Sequence, residues 1–179
     1  EIETPAFNDF LKKAAASFQD NLKRVQTKPA DVMPWKLNGE RWHLSEKGFP
    51  VGKSVRWDKS ILKDMVELVR EVVPGLEIDW SGQGHIALKV PGVSRSWAHW
   101  RTKESFGLDC RFLGKKSQFN LSQLEPFGVK PDLHDRRDGT VVRLIFQHRD
   151  HLQPAKLKAM LREQVAGFRE AFGKEKVKK

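Results

Sequence analysis

The chain has 179 residues, 39% hydrophobic and 31% charged, enough to bury the core of one domain. Thirty-three Lys and Arg oppose 23 Asp and Glu, a formal charge of +10 that favours polyanionic partners through counterion release. A single cysteine, Cys110, excludes an internal disulfide and a cysteine-only zinc site, and no run is apolar enough for a membrane-spanning helix.

Thr4-Pro5 reads as a helix start, a capping hydroxyl followed by proline at the first helical position. Phe7, Phe10, Leu11, Ala14, Phe18, Leu22 and Val25 then recur at helical spacing until Lys28-Pro29. The expected organisation is an amphipathic arm over 1–28, a single domain over 29–173 and a frayed basic tail over 174–179. The chain starts at Glu1 without methionine, which suggests a segment of a longer protein. With no signal-peptide pattern, a cytoplasmic setting is the expectation.

Residues 29–57 are irregular, carrying Trp35, Trp42 and Trp57 among Pro34, Gly39, Gly48, Pro50 and Gly52, with a short strand expected at 42–45. Asp58 is placed to cap a helix whose apolar face is Ile61, Leu62, Met65, Leu68, Val69 and Val72, ended by Pro74-Gly75. Period-two alternation follows in Leu76, Ile78, Trp80 and, after the turn SGQG, in Ile86, Leu88, Val90. Further strands are expected at 96–103, through Phe106, Leu108, Cys110 and Phe112, briefly at 118–121, and through Val142, Leu144 and Phe146. DLHDRRDG (132–139) reads as a solvated turn whose Arg136 and Arg137 partner its aspartates. Gln153-Pro154 opens a final helix with Leu157, Met160, Leu161, Val165, Phe168 and Phe172 inward. The fold class expected is α+β: a two-layer sandwich, an antiparallel sheet with helices on one face.

Several catalytic motifs fail on their own chemistry. GFPVGKS (48–54) ends like a phosphate-binding loop, but the required G-x-x-x-x-G-K-[ST] is one residue short and Pro50 removes an N–H from the cradle. His148 and His151 lack a third ligand at metal spacing, and Cys110 falls on the core side of its strand, an inert thiol. No cofactor and no metal are expected, and no catalytic residue is assigned.

Strand alternation also states what the sheet's other face carries. Opposite the apolar set lie Lys89, Trp97, His99, Arg101, Lys103, Arg111 and Arg143, with Asp109 the one acid among them. Cations neutralise phosphates, and an exposed indole offers an unpaired base a stacking surface. These seven residues are the candidate nucleic-acid site; Lys47, Lys53, Arg56 and Trp57 are secondary candidates on the preceding loop.

Met33-Pro34-Trp35-Lys36, Arg41-Trp42-His43-Leu44-Ser45, Lys47-Gly48-Phe49-Pro50 and Arg56-Trp57-Asp58, with Ser96-Trp97-Ala98 and Thr102-Lys103, form a further pattern. Together they resemble a carboxyl-terminal extension domain carried by some UvrA-like proteins of the bacterial excinuclease ABC system, over residues 30–170. The resemblance implies a parent that is a DNA-damage-recognising ATPase of nucleotide excision repair, with this segment an appendage to it. The family's Walker loops, ABC signature and cysteine zinc modules are absent from this chain, so the resemblance carries over no catalytic or zinc residue.

The leading expectation is a non-enzymatic accessory domain of a DNA-repair protein that binds nucleic acid, DNA in particular, through the basic sheet face. The alternative is a docking module in which the tryptophan loop and first helix contact the rest of the parent or a partner. A small enzyme using His99 or His43 as acid–base is the third reading. Oligomeric state is not legible in the sequence.

Overall fold

The computed structural model describes residues 8–9, 12–17, 19, 33–47, 49 and 52–173. Of the expected arm, the described residues are helical and exposed. Most of its apolar stripe (Phe7, Phe10, Leu11, Phe18, Leu22, Val25) lies outside the described residues, as does the tail 174–179.

The strand expected at 42–45 belongs instead to a helix, α1 (Pro34–Leu44). Pro34 presets its first turn, and the helix kinks at Gly39, whose φ of 26° only glycine adopts readily. A Cβ there would also meet Trp80 Cβ at 3.1 Å, so the kink lets α1 lie close against that side chain. Helix α2 (Ser60–Val72) has Lys59, not Asp58, at its N-cap and no side-chain cap bond; Asp58 Oδ1 accepts the Ser60 N–H at 2.8 Å in the turn that leads into it. It buries Ile61, Leu62, Met65, Val66, Leu68 and Val69 along one stripe.

Six strands follow: β1 (Glu77–Asp79), β2 (His85–Lys89), β3 (Ser96–Arg101), β4 (Leu108–Gly114), β5 (Val129–Arg136) and β6 (Gly139–Phe146). They form one antiparallel sheet in the order β1-β2-β3-β4-β6-β5. Between β4 and β5 the strand expected at 118–121 is replaced by a 3-10 turn (Lys116–Gln118) and a short helix, α3 (Leu121–Leu124). Local side chains decide this: Gln118 Oε1 accepts the Lys115 N–H at 2.7 Å and Asn120 Oδ1 accepts that of Ser122 at 3.2 Å.

Strand β5 is the larger correction, because DLHDRRDG is mostly strand and only Arg137-Asp138 turns. An edge strand has one neighbour and needs little apolar content; here half-buried Leu133, opposite Val142, faces the core side.

Helix α4 (Pro154–Phe172) packs with α2 over one face of the sheet. The core lies between them and Ile86, Leu88, Ala98, Trp100, Leu108, Cys110, Phe112, Val142, Leu144 and Phe146. This is the expected α+β two-layer sandwich. The opposite face meets solvent at His85, Lys89, His99, Arg101, Asp132, His134 and Arg136.

Candidate functional site

Registers show which open-face side chains are neighbours. One row across the strands runs Ala87, His99, Arg111, Arg143, Asp132; the next runs His85, Arg101, Asp109, Ile145. The sheet therefore brings His99, Arg101, Arg111 and Arg143 together, as expected. It brings acids as well: Glu77 and Asp79 on β1 flank Lys89 and Ala87, and Asp132 on β5 stands opposite Arg143. The face expected to hold a single acid is thus a mixed one with a cationic middle.

Two of the expected contacts are relocated. Trp97 is fully buried, not exposed on the open face. The β2–β3 register passes from Leu88↔Ala98 to Lys89↔Ser96, leaving Trp97 as the extra residue of a bulge. Its ring turns into the core, 5.3 Å from Phe112 between centroids, so it offers no stacking surface. Lys103 is likewise committed. Its Nζ donates to Trp42 O at 2.8 Å, to Ser45 O at 2.7 Å and to Lys47 O, tying the end of α1 to the chain after β3. Burial lowers its pKa to about 8.

The remaining cations divide by their acids. Arg101 Nη1 pairs with Glu104 Oε1 at 2.8 Å. The buried carboxylate of Asp109 receives Arg111 through Nε (3.2 Å) and Nη2 (3.0 Å), and Arg143 through Nε at 3.1 Å. That grip fixes the Arg111 guanidinium by one edge and leaves Nη1 outside the pair.

Arg111 also lines a cleft of about 470 Å³ on the open face, where β3 begins, β4 ends and the β5–β6 hairpin turns. Its walls carry Arg95, Trp97, His99, Arg111, Arg136 and Asp138, over Leu113 and Val141. Arg95 lies 3.4 Å from Asp138 and over the Phe172 ring. Exposed Arg136 makes no ion pair among the described residues, and the pKa of His99 is lowered by burial and by the positive charges of His85 and Arg136. The sequence reading missed Arg136 by taking its segment as a turn. The Asp138-Gly139 dipeptide after alternating Asp132, His134 and Arg136 was the hairpin signal available.

The secondary loop candidates separate in the same way. Trp57 is buried and donates its indole N–H to Glu104 O at 2.8 Å, which makes it an anchor. Lys47, Lys53 and Arg56 retain solvent contact. No helix opens directly after Lys53-Ser54; α2 begins only at Ser60, so the loop lacks the helix N-terminus a phosphate-binding loop requires. Beneath it, Lys59 donates to Thr102 O and lies over the Phe49 and Trp57 rings at 4.3 and 4.4 Å. Burial and nearby Lys103 lower its pKa to about 7.

His43 is fully buried: its Nε2–H donates to Trp80 O at 3.2 Å and its Nδ1 accepts from the Thr102 hydroxyl. Burial lowers its pKa to about 4, so the ring is a neutral structural bridge. Cys110 is buried and its thiol pKa is pushed up by burial. Among the described residues no three His, Cys, Asp or Glu converge as a metal site, and no helix is long and apolar enough to cross a membrane. Compared with protein-family models, curated proteins and solved structures, the chain matches none.

Proposed function

We propose that the open sheet face binds nucleic acid through its phosphates, with Arg111, Arg136 and His99 as the contacting groups. The observation that carries this reading is the cleft itself. Two guanidiniums from different strands and an imidazole line one concavity, where Asp138, 3.4 Å from Arg95, is the one acid among the described lining residues. Asp109 holds Arg111 in place before any ligand arrives, which lowers the ordering cost of binding. The sequence resemblance to the extensions of UvrA-like proteins supports the further proposal that this is a non-enzymatic accessory domain in a DNA-repair protein. Titrating fluorescent single- and double-stranded DNA across a salt series tests it. Binding with a salt slope that Arg111→Ala and Arg136→Ala each reduce is the expected result; absence of binding at low salt refutes it.

A second reading rests on α1. Met33 and Leu37 are exposed at 44% and 69%, the described large hydrophobics most open to solvent. They would serve a docking surface for another protein segment. Replacing both with Ser abolishes partner binding under this reading and leaves DNA binding unchanged under the first.

A further inference from the structure

The nucleic-acid reading leaves open which phosphate the cleft takes, and the charge pattern decides between an internal one and a terminal one. A strand lying across the sheet needs a run of available cations, since each internal phosphodiester brings one charge. The face does not provide a run. Arg101 is paired with Glu104 at 2.8 Å, Arg143 and Arg111 share the one carboxylate of Asp109, and Lys89 stands in register opposite Glu77. Asp79 and Asp132 add negative charge on the two flanks.

Among the described residues of this face, positive charge concentrates at the turn end, in a bounded cleft of about 470 Å³. There Arg111 presents the guanidinium edge that Asp109 does not use, and Arg136 makes no ion pair among the described residues. Leu113 and Val141 give the same cleft an apolar floor.

Resting on that reading, we propose that the cleft is an end-binding site: it holds the terminal phosphate monoester of a nucleic-acid strand, with the last nucleotide against Leu113 and Val141. A monoester carries about −1.5 to −2 charges at neutral pH and three terminal oxygens, where a diester carries one charge. Two guanidiniums from separate strands match the monoester better, because each can engage a different oxygen. A compact site also needs no continuation along the sheet, which agrees with the acids that flank it.

The test uses the full chain and internally labelled single-stranded oligonucleotides of one sequence, measured by anisotropy. One bears a 5′-phosphate, one a 3′-phosphate, one hydroxyls at both ends, and one is circular. The expected result is tighter binding of a phosphorylated end by about tenfold or more, the worth of one added charge-assisted hydrogen bond. The phosphate position that gains identifies which end is read. Arg136→Gln should erase the preference, and Lys158→Gln on α4 should leave it intact; circular dichroism confirms that both variants fold. Competition by a nucleoside monophosphate but not by the unphosphorylated nucleoside is also expected. Equal affinity for all four oligonucleotides overturns the end-binding proposal while the nucleic-acid reading stands. Failure of all four to bind at low salt overturns both.

Discussion

Arg111 and Arg143 stand opposite each other across the β4–β6 pair and share the carboxylate of Asp109, which is itself fully buried. Like charges directly opposite would repel, and the shared acid turns the pair into a network. Each arginine keeps more than a quarter of its side chain exposed, at 30% and 27%, so the network stays in contact with solvent through its guanidiniums while Asp109 is buried. Asp109→Asn should therefore cost about 2–3 kcal/mol in urea unfolding, the scale of lost hydrogen bonds to charged groups. It should also weaken phosphate binding by releasing Arg111. Unchanged stability and unchanged affinity together would show that Asp109 positions nothing.

Salt dependence separates contacting cations from committed ones. Arg111→Ala and Arg136→Ala should each flatten the slope of log K against log salt by about 0.7 on single strands, one counterion apiece. Lys103→Ala should leave the slope alone, because its ammonium is spent on three backbone carbonyls. Its cost should appear as a destabilisation of about 2 kcal/mol in the same urea assay. A flattened slope with unchanged stability for Lys103→Ala would return that residue to the binding surface.

Trp97 gives a clear contrast between a stacking role and a packing role. The bulge buries it against Phe112, so Trp97→Ala should cost about 3–5 kcal/mol of stability, as large-to-small core changes do. A folded Trp97→Phe variant should keep most of the stability and all of the salt slope. If Trp97→Ala instead left the melt intact and weakened only single-strand binding, the residue would be a stacking platform.

The His43 imidazole predicts a pH effect whose sign follows from its burial. Its pKa in the folded chain is lowered from 6.5 to about 4, so between those values the unfolded chain holds more protons. Stability should fall as pH drops from about 6.5 toward 4 and be recovered above that window. His43→Gln cannot titrate, so the difference between the wild-type and variant melting temperatures should shrink as pH falls across the window. A difference constant with pH would mean that His43 takes up its proton as readily folded as unfolded.

Much of the fold was legible because its signals are local. The stripe of α2, the alternation of Ile86-Leu88 and Val142-Leu144-Phe146, and the Gln153-Pro154 start of α4 each sit within a few residues of what they specify. Basic residues at alternate positions likewise placed His99, Arg101, Arg111 and Arg143 on one face, since β-strand period two is a property of the backbone.

What only the tertiary structure decided is which of those charges have partners. One extra residue in the β2–β3 ladder turned Trp97 inward, because a bulge breaks the alternation that sequence reading assumes. Antiparallel pairing set Glu77 and Asp79 beside β2, and β5 carried Asp132 and Arg136 to the edge of the same face. Lys103 found the carbonyls of Trp42 and Ser45, 61 and 58 residues away in the chain. Electrostatic pairing depends on distance in space, and strand order and register set that distance. The composition of this chain determined that it is basic; the packing determined which cations of the open sheet face share an acid and which line its cleft.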